Sequence, residues 1–215
     1  ILTPPKAVDA PPAQWCDTAM AQIHHQIVIV GGGAAGITVA AALLRRGRDR
    51  LLDIAIIEPS DHHYYQPAFT LVGAGAYAMA QTRRDTRGLI PGGVSWIKAT
   101  VRGFAPDANI VMLTSGNSVT YDCLVICPGL VCDWDAIAGL KDALGENGVC
   151  SNYAPRFAEY TWECQRTLKP GAKALFTQPA APIKCPGAPF EAAYLAADHL
   201  KRAGIRHLCD VRFLT

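Results

Sequence analysis

The chain has 215 residues, half of them hydrophobic and 18% charged, with 20 basic and 18 acidic side chains giving a net charge of +2. That is too apolar for a disordered chain, and it lacks the clustered basic excess of a nucleic-acid surface. The 19 glycines and 15 prolines follow no period, which excludes collagen-like and low-complexity classes, and the length corresponds to about one and a half domains of ~150 residues.

Residues 1–24 carry Pro4-Pro5 and Pro11-Pro12 and read as a linker or tail. Ile27–Val30 is a short β-branched run suited to a buried parallel strand. Gly31, Gly32 and Gly33 follow, and Ile37–Arg46 then reads as a helix ending in Arg45, Arg46 and Gly47. Asp53–Glu58 is a second strand. The apolar stretch Ile27–Leu44 is therefore a strand, a turn and a helix rather than a membrane span. Val94–Lys98 is another strand. Arg102–Phe104, Asn109–Thr114 and Ser118–Thr120 form an antiparallel meander broken by Pro106-Asp107 and Gly116-Asn117. Tyr121–Cys127 is an apolar strand closed by Pro128-Gly129. A connection over residues 130–170 holds a helix at Pro155–Leu168. Lys173–Thr177 opens a new strand, followed by a proline-rich loop, a helix at Phe190–Ala203 and a last strand at Asp210–Thr215.

The expected fold is α/β: a Rossmann-like βαβ unit with an antiparallel meander, then an incomplete second Rossmann-like unit. The expected division is a tail over 1–24, a dinucleotide-binding domain over 25–150, and the start of a second domain over 151–215.

Gly31-x-Gly33-Ala34-Ala35-Gly36 lies between the first strand and the first helix. The glycines permit a tight turn, close approach to a pyrophosphate and close helix–strand contact; the helix N-terminus offers N–H groups to phosphate. Glu58 ends the second strand, 22 residues past Gly36, where a carboxylate accepts from a ribose diol and disfavours a 2′-phosphate. FAD or NAD is thus preferred over NADP. The order βαβ, meander, strand and tight turn resembles that of the two-dinucleotide flavoproteins, which favours FAD. Pro128 and Gly129 would then pass close to the dinucleotide; an ordinary strand-ending turn is the competing reading.

The second unit has no G-x-G. Its strand runs into Gln178-Pro-Ala-Ala-Pro-Ile-Lys-Cys-Pro-Gly-Ala-Pro189, where prolines remove N–H groups that a phosphate loop needs. Nicotinamide binding is not expected there. Cys185 stands beside Lys184 just before a helix, where dipole and ammonium both favour a thiolate. It is the candidate redox cysteine, against the alternative of a structural thiol filling a loop. The eight cysteines show no C-x-x-C and no zinc spacing, and the adjacent His62 and His63 make a poor metal pair, so no metal site is expected. Cys16, Cys123, Cys127, Cys132, Cys150, Cys164 and Cys209 receive no role.

These features resemble the sulfide:quinone oxidoreductases, especially the mitochondrial type and its bacterial relatives. The resemblance runs from about Gln26 to Thr215. Besides the fingerprint it rests on Ile57-Glu58-Pro59-Ser60, Tyr64-Tyr65-Gln66-Pro67, Thr70–Gly75, Ile90-Pro91, Val94-x-Trp96-Ile97-Lys98-Ala99, Ser151-Asn152-Tyr153 and Pro182–Pro189. The resemblance implies FAD as cofactor, with Gln66 bordering the flavin and the Val101 backbone meeting the adenine. It implies Cys185 as one of two redox cysteines, with sulfide, a sulfur acceptor and a quinone as partners. It also places the partner cysteine, a second FAD motif and the membrane-facing surface in a C-terminal half beyond Thr215, so that the 215 residues read as an N-terminal fragment. Where some bacterial relatives carry a third cysteine, this chain has Tyr153. The location implied is cytoplasmic or peripheral to an inner membrane; nucleic acid is not an expected partner. A NADH-dependent flavoreductase of the type II NADH dehydrogenase kind and a non-catalytic FAD-binding fragment are the alternatives.

Overall fold

The computed structural model describes residues 22–47, 50–179 and 182–215. The tail expected over residues 1–24 lies, as far as residue 21, outside the described residues, and so does Cys16. In chain order the elements are β1 (Gln22–Val30), α1 (Ala34–Arg46), β2 (Ile54–Ile57), β3 (His62–Tyr64), α2 (Phe69–Gly73), α3 (Met79–Thr82), β4 (Arg83–Asp85), α4 (Thr86–Leu89) and β5 (Val94–Ile97). Next come β6 (Val101–Ala105), β7 (Ile110–Leu113), β8 (Ser118–Ile126), α5 (Leu140–Ala143), α6 (Pro155–Arg166), β9 (Lys173–Thr177), α7 (Ala188–Arg202) and β10 (Asp210–Leu214). They fall into two compact units. One runs up to Pro59 and adds Ile90–Cys127; the other joins Ser60–Leu89 to Pro128–Thr215.

The first unit is built on a six-stranded sheet in the order β5-β2-β1-β8-β7-β6. β5, β2, β1 and β8 are mutually parallel, and β8, β7 and β6 form the antiparallel meander. The alternation of side chains along a strand decides how β1 is buried. Val28 and Val30 pack with Ile57, Val111, Leu113, Val119 and Tyr121. Ile29 points the other way and packs with Ile54, Ile56 and Ala40 of α1, backed by Leu43 and Leu44. Apolar residues at every position of Ile27–Val30 and of β2 are what a parallel strand covered on both faces requires.

The register fixes where these strands end. Val30 pairs with Ile57 and with Ile126, and Ile57 pairs with Ile97. The glycine turn, Glu58, Lys98 and Cys127 therefore all leave the sheet at one edge, the carboxyl edge. Backbone hydrogen bonds lock it: Gly31 N–H to the Ile57 carbonyl at 2.9 Å, Glu58 N–H to Ile97 at 3.1 Å, and Cys127 N–H to Val30 at 2.7 Å.

In the second unit, Phe69 and Val72 of α2 pack on Met79 and on Ala158 of α6. β9 and β10 pair in parallel, with α7 as the connection between them. This is the strand–helix–strand frame expected of the incomplete second unit. The α/β fold class thus holds in both parts.

Three local differences have simple causes. The segments expected as Ser118–Thr120 and Tyr121–Cys127 are one strand, β8, because its start pairs with β7 and nearly its whole length pairs with β1. The first strand reaches back to Gln22, since His24 and His25 pair with Thr120 and Tyr121 in spite of their polarity. Residues 62–89 hold five short elements, β3, α2, α3, β4 and α4, too brief to show a period; β3 is specified only by pairing with β4, some 20 residues away.

Ile29 is fully buried at the centre of the sheet. Ile29→Ala is expected to cost about 2–5 kcal/mol of unfolding free energy, read from the midpoint of a urea titration.

Candidate functional site

The turn after β1 is held by its own residues. Gly31 takes φ +103°, a left-handed conformation in which a side chain is strained. The Gly32 N–H donates to Glu58 Oε2 at 2.8 Å. A Cβ on Gly32 would come within 2.7 Å of Glu58 Cβ, and a Cβ on Gly36 would overlap the Gly31 carbonyl oxygen. Gly33, by contrast, faces open space, where an added Cβ meets nothing within 4 Å. The sequence thus packs Gly32 and Gly36 tightly and leaves room beside Gly33.

Gly33 is also the N-cap of α1. No side chain caps this helix, and its first turn holds no acidic residue. The N–H groups of Ala34, Ala35 and Gly36 precede the first intrahelical bond, which Ile37 makes to the Gly33 carbonyl at 3.1 Å. Ala34 and Ala35 are exposed. An open turn, an uncapped helix end and a carboxylate at the neighbouring strand end fit the pyrophosphate and ribose of a dinucleotide.

Glu58 is supported from behind, where the Trp96 indole N–H donates to its carbonyl at 2.8 Å. A groove of about 620 Å³ on the same unit is lined by Pro59, Lys98, Ala99 and Thr100 on one side and by Thr114 and Ser118 on the other. Val101, the position assigned to adenine by resemblance, opens β6 one residue past that groove. Pro128 and Gly129 follow β8 and are exposed, with Gly129 at φ +77°.

In the second unit Cys185 is exposed and adopts φ +58°. A non-glycine residue in that region carries about 1–2 kcal/mol of strain. Its carbonyl accepts from Ala188 N–H at 3.0 Å, closing a turn into α7. The Tyr153 hydroxyl donates to the Lys184 carbonyl at 2.9 Å and lies 3.5 Å from that of Cys185. The Gln66 side-chain amide in turn reaches the Tyr153 carbonyl at 3.5 Å. Burial first, then the Cys185 and Cys132 sulfurs, push the Tyr153 phenol above its usual range, so it stays a donor. Burial likewise raises the Cys132 thiol, partly offset by the Lys184 ammonium.

In the sequence, Tyr153 of Ser151-Asn152-Tyr153 carries no sign of a role of its own. Its signal is local: Tyr153 N–H donates to Ser151 Oγ at 3.2 Å, a serine turn. Asn152 packs on Gly73, where any Cβ would strike its amide. Among the described residues no group of three His, Cys, Asp or Glu is placed to hold a metal ion. Cys150 lies within hydrogen-bond reach of Cys164, and burial first, then that thiol, push it up to about 12. It therefore remains a thiol until pH approaches that value. At pH 8, iodoacetamide should label the exposed Cys123 and Cys185 at least about a hundredfold faster than Cys150, as read by peptide mass spectrometry.

The chain is similar to several known proteins. The chain is 45% identical over 181 residues to the mitochondrial sulfide:quinone oxidoreductase of Dictyostelium discoideum, covering 84% of the chain and 40% of the relative. It is 39% identical over 196 residues to that of Mus musculus, covering 91% and 43%. The X-ray structure of the sulfide:quinone oxidoreductase from Aquifex aeolicus superposes with a TM-score of 0.71 at 25% identity, covering 89% of this chain and 42% of that one. The chain thus spans about two fifths of the length of the curated relatives it matches. The model of the pyridine nucleotide-disulphide oxidoreductase family matches residues 25–155, and FAD is the cofactor of such flavoproteins, as the order of elements and the family resemblance implied. The chain belongs to the pyridine nucleotide-disulphide oxidoreductase family.

Proposed function

We propose that the protein containing this chain oxidises sulfide and passes the electrons to a quinone, with Cys185 as a redox thiol. The observation that carries the reading is the exposed Cys185, in a strained turn at the start of α7. A nicotinamide-binding relative would place a glycine loop at this βαβ position. Relatives named sulfide:quinone oxidoreductases support the choice of substrate and acceptor.

Gly31, Gly33, Ala34, Ala35, Gly36 and Glu58 would hold the dinucleotide: N–H groups toward the pyrophosphate, the carboxylate toward the ribose. Gln66, the Val101 backbone, Pro128 and Gly129 are further contacts on this reading. Bound FAD supplies a two-electron acceptor that a quinone can reoxidise. Hydrosulfide attacks a sulfur bridge between Cys185 and a second cysteine. One S–S bond breaks, a persulfide S–S bond forms on one cysteine, and the other leaves as a thiolate. A sulfur acceptor removes the persulfide sulfur, leaving two cysteine thiolates, and the electron pair released as their S–S bond re-forms is what bound FAD would accept.

The reading also places the protein at the surface of the membrane that carries the quinone. No helix among the described residues is long and apolar enough to cross a membrane. Two relatives bear mitochondrial names. The NADH-dependent alternative calls for a glycine loop here, and between Thr177 and Ala188 the sequence has a single glycine, Gly187.

In the full-length, FAD-loaded protein, Cys185→Ser is expected to lower the rate of anaerobic flavin reduction by sulfide at least about a thousandfold while leaving flavin content unchanged. Unchanged flavin bleaching would remove Cys185 from the reaction.

A further inference from the structure

Cys185 is held in a conformation that its own residue type disfavours, so something outside it must hold the turn. Two hydrogen bonds bracket the residue. Ala188 N–H fixes the Cys185 carbonyl from the α7 side at 3.0 Å. The Tyr153 hydroxyl fixes the preceding carbonyl, that of Lys184, at 2.9 Å, from a segment 31 residues earlier in the chain. Between them lies the peptide whose rotation sets φ of Cys185, +58°.

Tyr153 is itself anchored. Its N–H donates to Ser151 Oγ, its carbonyl accepts from the Gln66 side chain, and the preceding Asn152 sits against Gly73 of α2. The ring is half-buried, so the hydroxyl approaches Lys184 from a fixed base.

From this arrangement we infer that Tyr153 is the positioning residue for the Cys185 thiol: its hydroxyl, donating to the Lys184 carbonyl, holds residues 184–185 in the left-handed turn that presents the sulfur outward for attack. The inference rests on the proposed role of Cys185. Without the hydroxyl, the Lys184–Cys185 peptide can rotate toward a relaxed extended conformation, and the sulfur spends less time in the presented position. Tyr153 transfers no proton or electron in this account. Burial raises the phenol's pKa, which favours the protonated, donating form.

The test uses the full-length, FAD-loaded protein with two variants, Tyr153→Phe and Cys185→Ser. Phenylalanine keeps the ring and removes only the donor; flavin content and circular dichroism report whether the fold is intact. Labelling of Cys185 by iodoacetamide is measured against labelling of Cys123 as the internal reference, and anaerobic flavin reduction is measured across sulfide concentrations. In Tyr153→Phe, Cys185 labelling is expected to slow by roughly threefold or more with Cys123 unchanged. The limiting rate of flavin reduction should fall about tenfold with the half-saturating sulfide concentration unchanged. Wild-type labelling and a wild-type limiting rate would overturn the inference. Equal slowing at Cys185 and Cys123, a change confined to the half-saturating concentration, or loss of the fold would overturn it too, since the hydroxyl would then support the unit as a whole or substrate entry. If sulfide still reduces the flavin of Cys185→Ser, the role of Cys185 fails. The labelling comparison needs no sulfide and still decides whether Tyr153 sets the reactivity of that thiol.

Discussion

One hydrogen bond organises the dinucleotide end of the first unit: the Gly32 N–H donating to the Glu58 carboxylate at 2.8 Å. A hydrogen bond with an ionised partner contributes about 1.5–3 kcal/mol. It joins the turn after β1 to the end of β2, two points that the strand register already places side by side. The carboxylate thereby acts in two directions, fixing the loop and standing where a ribose diol would be read. The same contact explains the glycine spacing. A side chain on Gly32 would collide with Glu58, and one on Gly36 with the Gly31 carbonyl, while the space beside Gly33 stays open.

The second unit repeats the frame with different chemistry. β9, α7 and β10 form a strand–helix–strand unit with parallel strands. The connection into α7 carries Pro179, Pro182 and Pro186 in place of a glycine loop, and Pro189 stands in the first turn of the helix. Proline has no N–H to donate, so this connection offers fewer backbone donors to a phosphate than the glycine turn after β1. What it presents instead is an exposed thiol in a strained backbone state, held by hydrogen bonds from both sides. Strain of this kind persists only where neighbouring structure over-determines it. Tyr153 and the first turn of α7 supply that constraint.

Much of this was legible in the residues. Apolar β-branched runs marked β1 and β2, since a strand buried on both faces admits little else. Glycine at 31 and 36 followed by Glu58 marked a tight turn between the first strand and the first helix: Gly31 takes a positive φ, and a Cβ on Gly36 would strike the Gly31 carbonyl. The elements between residues 62 and 89 were not legible. β3 and β4 exist through pairing with each other, and α2 through burial against α6, interactions between segments far apart in sequence. Tyr153 was hidden for the same reason: a tyrosine in a loop carries no signal of a partner 31 residues away. Cys185 was legible as a candidate thiol, but its left-handed backbone was not, because a Cys-Pro pair reads as extended.

On the proposed reading, the second βαβ turn holds a thiol where a nicotinamide loop would stand, and electrons would enter the full-length protein from sulfide rather than from NADH. The most direct test of this reading is anaerobic mixing of the full-length, FAD-loaded protein with sulfide and, separately, with NADH, following flavin absorbance. The account predicts rapid bleaching by sulfide and none by NADH on the same timescale. Rapid bleaching by NADH in the absence of sulfide would contradict it.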